Sequence, residues 1–135
     1  MADQLHFELV TPERLLRSDD VYMVVVPASE GDMGVLAGHA PVMTTIRPGA
    51  IAIYASDGAV PERVFIDGGM AQIDDKGLTI LAEGATPVAE IDAAALTQQL
   101  ADARDDIRLA KSDVETDMAE RRVARLEAMQ EALAA

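Results

Sequence analysis

Cysteine and tryptophan are missing from this 135-residue chain, and its aromatic rings are confined to Phe7, Tyr22, Tyr54 and Phe65. Without thiols there is no disulfide framework, thiolate nucleophile or Cys-ligated zinc, a usage that fits a reducing compartment. Half the residues are hydrophobic, so a core is affordable only as an aliphatic one, built from Val, Ile, Leu, Met and Ala. Cations are also scarce: 11 Lys and Arg stand against 24 Asp and Glu, a net charge of −13. Nucleic-acid binding and docking on anionic lipid both need clustered cations, so neither is expected. No apolar run approaches the roughly 20 residues of a membrane-spanning helix, and direct membrane insertion is not expected. The opening Met1-Ala2-Asp3-Gln4 has neither the basic nor the apolar segment of a secretory signal, so none is expected.

Glycine and proline are spread from Pro12 to Pro87 and then stop. The length suits one domain with a small appendage, and the change of composition predicts a boundary near Glu90, giving domains 1–89 and 90–135. In the first part, short runs with strand-like patterning recur: Leu5–Val10, Val21–Val26, Gly34–Ala37, Val42–Ile46, Ala50–Tyr54, Arg63–Ile66, Ala71–Ile73 and Leu78–Leu81. Turn formers separate them, among them Ser56-Asp57-Gly58, Asp67-Gly68-Gly69 and Asp74-Asp75-Lys76-Gly77. Many short strands with tight turns predict an antiparallel β-sandwich or flattened barrel.

Past the boundary the apolar period becomes helical. Leu96, Leu100, Ala103, Ile107, Ala110 and Val114 form one seam; Ala119, Val123, Leu126 and Leu133 form a second, out of phase with the first. Asp92 reads as an N-cap and Ser112-Asp113-Val114-Glu115 as a capping box. A helical hairpin turning near Lys111–Asp113 accounts best for the break, although one long helix is sterically allowed. Such a pair cannot bury a core alone and must lie against the sandwich, itself or another protein.

The densest turn chemistry surrounds one histidine: Glu30-Gly31-Asp32-Met33-Gly34, Gly38-His39-Ala40-Pro41 and Arg47-Pro48-Gly49. Loops so constrained on a β scaffold are shaped to be read by a partner. This spacing resembles that of the epsilon subunits of F-type ATP synthases, called delta in mitochondria. The resemblance implies a sandwich of about ten strands followed by a C-terminal helical hairpin. It implies a non-catalytic rotor subunit of the central stalk, on the cytoplasmic face of a bacterial inner membrane, bound to the gamma subunit and the c-subunit ring. It further implies a hairpin that folds down or extends, restrains ATP hydrolysis and engages the alpha and beta catalytic subunits.

Candidate chemistry is sparse. His39 lacks a nucleophile elbow and a second histidine at metal-ligand spacing, so hydrolysis with Asp32 and metal binding are poorly served; its ring is expected to hydrogen-bond loop backbone. His6, in an alternating strand, is expected to face solvent or an interface. By the resemblance, Glu30, Asp32, His39 and Pro41 are partner contacts, the acids facing the ring's basic loops. No Walker phosphate loop occurs, and Gly68-Gly69 reads as a tight turn. Some relatives bind ATP through Ile/Leu, Asp, two variable residues, Arg and Ala; here Ile91 and Asp92 fit, but Ala95 stands at the arginine and Leu96 at the alanine. No cofactor is therefore expected. A free-standing nucleotide sensor with a mobile hairpin is the competing reading, and Ala95 counts against it. Arg121, Arg122 and Arg125 form a basic cluster, yet Ile91 to Ala135 holds ten acids and six bases, a net of −4. A salt-bridged face therefore competes with a regulatory contact there.

Overall fold

Apolar residues alternate along most of the first 87 positions, and alternation puts one face of each strand in a core and the other in water. In the computed structural model, which describes residues 3–135, this yields ten strands. They are β1 (Leu5–Val10), β2 (Leu15–Val21), β3 (Met23–Ala28), β4 (Gly31–Leu36), β5 (Val42–Ile46), β6 (Gly49–Tyr54), β7 (Glu62–Ile66), β8 (Gly69–Asp74), β9 (Gly77–Ala82) and β10 (Ala85–Pro87). The Met1-Ala2 start considered for a leader lies outside the described residues.

Hydrogen bonding runs in the order β10-β7-β6-β3-β5-β8-β9-β1-β2, with β4 paired to β3. Pairing is antiparallel throughout except for β1 with β9, which is parallel. The core is largely aliphatic, with Phe7 and Phe65 its two buried rings: Phe7 and Leu9 from β1, Val24 and Val26 from β3, Phe65 from β7, and Leu78 and Ile80 from β9 are all sealed from solvent. Strand β2 ends the sheet, and its Arg17 and Asp19 carry charge on the edge, as edge strands that resist further pairing do. Arg17 bonds Asp19 at 2.9 Å and reaches Glu62 of β7 at 2.8 Å. The Asp19 hydrogen bond comes first among the causes that raise the pKa of Arg17.

Two strands lack a pattern visible in the sequence. Residues 15–20 of β2 read Leu-Leu-Arg-Ser-Asp-Asp, polar and non-alternating, and pair with β1 through a register shift between Leu9 and Val10. The three residues of β10 are too short to show any period. A third expectation fails at β4, which begins at Gly31 rather than Gly34, so Asp32 lies in a strand opposite Pro27 and not in a free loop.

The contacts divide the chain at Pro87/Val88 into two compact units. The second begins with a 3-10 turn (Val88–Glu90) and holds α1 (Ala93–Leu109) and α2 (Asp113–Ala134). Asp92 caps α1, its Oδ1 accepting from the N–H groups of Ala94 at 3.0 Å and Ala95 at 3.1 Å. Ser112 caps α2 by accepting from the Glu115 N–H at 3.1 Å, while Glu115 turns back to accept from the Lys111 N–H at 2.7 Å. The hairpin therefore turns where expected. Its helices are antiparallel, as the cross-pairs Asp106–Arg122 and Arg104–Glu127 show. Leu96, Leu100 and Ala103 are buried on α1, and Ala119, Val123, Leu126, Met129 and Ala132 on α2. Val114, assigned to the first seam, is instead exposed in the first turn of α2, and the second seam ends on Met129 and Ala132 rather than Leu133. The helix break resets the phase, so a four-residue step across it has no meaning.

Candidate functional site

Strands β3 and β4 form a hairpin whose turn, Ser29–Glu30, lies at one end of the sandwich; Leu36 at the far end of β4 leads into Gly38-His39-Ala40-Pro41 at the other. Five residue steps along β4 put the two groups about 17 Å apart. Glu30 and Asp32 are thus brought together, His39 and Pro41 are brought together, and the two pairs are kept at opposite ends.

At the acidic end Gly31 has φ +134, a conformation glycine alone adopts without strain. Asp32 accepts a hydrogen bond from Arg47 Nη2 at 2.6 Å. The Arg47 backbone N–H donates to the Pro27 carbonyl at 3.0 Å, and the Ser29 N–H donates to Thr45 at 2.9 Å, locking the two turns together. Gly49 is needed for closeness rather than for φ: a Cβ there would crowd Pro27 at 3.2 Å and Arg47 Nη1 at 3.4 Å.

At the other end the His39 Nδ1–H donates to the Ala40 carbonyl at 2.7 Å, the backbone-bonded ring expected of it. Beside it lies an open cleft of about 440 Å³ whose walls include His6, His39, Pro41, Asp74 and Lys76. His6 faces solvent, as expected, between two carboxylates: Nδ1 meets Asp20 at 3.0 Å and Nε2 meets Glu8 at 3.3 Å. Only the imidazolium supplies two N–H donors, and the hydrogen bond to Asp20, then that to Glu8, raise its pKa above 6.5. Among the described residues no group of three or more His, Cys, Asp or Glu side chains is arranged to hold a metal ion.

The largest feature missed in the sequence is an apolar row across the outer face of the sheet. Cross-strand register aligns Thr45, Met70, Leu81, Val10 and Leu15 on β5, β8, β9, β1 and β2. Met43 stands two residues from Thr45 on the same face. Leu15 is 54% exposed, Leu81 46%, Met43 60% and Met70 38%. Three strand spacings from Met70 to Leu15 make the apolar row about 14 Å long. Its trace in the sequence is apolar residues at outward parity, such as Leu81 after Ile80.

In the helical unit, Ile91 is half-buried and Asp92 is committed to capping, while Ala95 offers only a methyl group. The basic cluster is dispersed into pairs: Arg121 with Asp117 at 2.9 Å along α2, and Arg122 with Asp106 of α1 at 3.5 Å. Arg125 is half-buried. Of the two methionines of α2, Met118 is exposed and Met129 is buried. No helix among the described residues is long and apolar enough to cross a membrane.

Residues 4–88 match the family described as ATP synthase, Delta/Epsilon chain, beta-sandwich domain. The chain is 53% identical over 130 residues to the ATP synthase epsilon chain of Maricaulis maris, covering 96% of each. It is 43% identical over 133 residues to the ATP synthase epsilon chain of Mesorhizobium japonicum, covering 98% of each. Among solved structures it resembles a chain of the Euglena gracilis mitochondrial ATP synthase, in an assembly of OSCP, F1 and c-ring, with a TM-score of 0.85 and 26% identity. That likeness covers 96% of this chain and 81% of the other. A chain of the Tetrahymena thermophila mitochondrial ATP synthase central stalk and c-ring shares the fold, with a TM-score of 0.74, 14% identity and 98% of each chain covered.

Proposed function

The chain belongs to the ATP synthase delta/epsilon family, and from that premise we propose that it is the non-catalytic rotor subunit of a bacterial proton-translocating F-type enzyme. It couples the turning c-ring to the central shaft and works peripherally, at the cytoplasmic face of the inner membrane. The observation that carries this reading is the solvent-exposed apolar row through Met70, Leu81 and Leu15. We assign this face to the gamma subunit and the acidic turn at Glu30–Asp32 to the polar loops of the c-ring. His39 and Pro41, at the opposite end, then serve the gamma contact. A continuous β scaffold suits torque, because its strands are cross-bonded from β10 to β2.

The helical hairpin modulates hydrolysis by contact with the alpha and beta subunits. Arg121 and Arg122 enter that contact from exposed ion pairs with Asp117 and Asp106, which a partner's carboxylates can replace at little cost. ATP is not a ligand of this hairpin: Asp92 is occupied as a cap, and Ala95 leaves no cation for a phosphate. Capture of the full chain by a gamma–c-ring assembly, with and without residues 113–135, tests the assignment. Capture in both cases is the expected result, and in an assembly that also holds the alpha and beta catalytic subunits the truncation is expected to speed ATP hydrolysis. Failure of the full chain to bind the assembly ends the proposal.

A further inference from the structure

We propose that Asp57 is a site of covalent self-modification, isomerising through a succinimide to isoaspartate, and that the fold protects the chain's other Asp-Gly pair, Asp67-Gly68. The chain has no asparagine, and Asp57 and Asp67 are its two aspartates followed by glycine. The glycine matters because the next residue's peptide nitrogen must reach the aspartate Cγ, and a Cβ on that residue obstructs the approach. In sequence the two pairs are equivalent. Their surroundings are not.

Asp57-Gly58 lies in the β6–β7 connection, where Ala55, Ser56, Asp57 and Gly58 are all exposed. One backbone hydrogen bond closes the turn, from the Ala59 N–H to the Ser56 carbonyl at 3.2 Å, with Gly58 at its third position and φ +79. That bond spans the reacting pair without using it. Neither the Gly58 N–H nor the Asp57 carboxyl has a partner among the described residues. Asp67-Gly68 is gripped instead. The Asp67 N–H donates to the Gly84 carbonyl at 2.9 Å, and the Glu83 N–H donates to the Gly68 carbonyl at 2.9 Å. Gly68 is buried, and the Asp67 carboxyl occupies the space that a Cβ on Gly84 would need. Swinging the Gly68 nitrogen onto Cγ disrupts both bonds, whereas the exposed turn gives way at the surface.

The chemistry is a dehydration followed by a hydration, and it needs no oxidant or cofactor. The Gly58 peptide nitrogen attacks Cγ of the Asp57 carboxylic acid. The N–H proton and the acid's hydroxyl leave as one water, closing an imide ring. A water then cleaves one of two bonds to that nitrogen. Cleavage at Cγ restores aspartate, whereas cleavage at the Asp57 main-chain carbonyl leaves the chain running through Cγ, with a free α-carboxylate. The product carries an extra backbone methylene in a turn beyond the β6–β7 ladder, whose last pair is Ile53 with Glu62, so the sandwich accommodates it.

The test ages the full chain at neutral pH, native and in denaturant, and locates isoaspartate by peptide mapping with mass spectrometry. Methyl transfer from S-adenosylmethionine by an isoaspartyl methyltransferase probes the free α-carboxylate. In the native chain isoaspartate is expected at Asp57, and at least about tenfold less of it at Asp67. In denaturant the two positions should react within about threefold of each other, and Asp57 within about threefold of its native rate. Asp57→Glu, which lengthens the side chain by one methylene, should abolish the methyl-accepting signal of the native chain. The proposal is overturned if Asp67 reacts in the native chain at more than about a tenth of the Asp57 rate. It is equally overturned if denaturant speeds Asp57 more than about threefold, because the turn would then be protective too. An Asp67 that stays slow in denaturant, or a methyl-accepting signal that survives Asp57→Glu, sinks it as well.

Discussion

Replacing Met43, Met70, Leu81 and Leu15 together by threonine strips the apolar row while keeping side chains that favour strands. Between 38% and 60% of each of these residues is exposed, so roughly half of each remains to be buried by a partner. Fully burying a side chain of this size contributes roughly 1.5–3 kcal/mol, so covering half contributes about 1 kcal/mol. Four such residues give about 4 kcal/mol, close to a thousandfold in affinity. The fold should scarcely notice, because exposed substitutions usually cost no more than about 0.5 kcal/mol each. The assay titrates the labelled chain into a gamma–c-ring assembly and compares the isolated chains by denaturant midpoint. A quadruple variant binding within about threefold of the unaltered chain would refute the assignment of this face. So would a loss of binding matched by an equal loss of stability, since the row would then belong to the fold and not to a partner.

Two further outcomes follow from local geometry. The His6 pKa is raised by its carboxylate neighbours, so the tie it makes from β1 to edge strand β2 is fully present below about pH 6.5 and is lost as pH rises through the elevated value. An NMR titration should find the His6 midpoint above 6.5, and Asp20→Asn should lower it; a midpoint at or below 6.5 contradicts the clasp. Gly69 has φ +150, and an added Cβ would fall on the Leu81 carbonyl oxygen. Gly69→Ala should therefore destabilise the sandwich by about 3 kcal/mol or more in denaturant unfolding, and a loss under about 1 kcal/mol would show that the β8–β9 pair yields easily.

The helical part was legible nearly to the residue, because capping is local chemistry. Asp92 and Ser112 sit within three residues of the N–H groups they satisfy, so the letters at 92–95 and 112–115 suffice. The phase of the seams was less legible beyond Lys111, where the chain leaves helical geometry and the four-residue step from Ala110 to Val114 ceases to mark a face. Strand β2 was hidden for a different reason. An edge strand with one hydrogen-bonded neighbour carries charges where a central strand carries aliphatics, and Arg17 and Asp19 erase the alternation. The partner of Asp32 was invisible as well: Arg47 lies 15 residues away, and only the return of β5 beside β3 brings it within reach.

Sequence alone determined what depends on neighbours along the chain: an aliphatic two-part molecule, its tight glycine turns, its capped helices and its kinship. The tertiary structure decided what depends on neighbours across the sheet. Register alone could line up Met70, Leu81, Val10 and Leu15 from four strands into one exposed row. It also sent Asp32 and His39, seven positions apart in the chain, to opposite ends of the sandwich, because an extended strand carries its residues away from each other at about 3.3 Å per step.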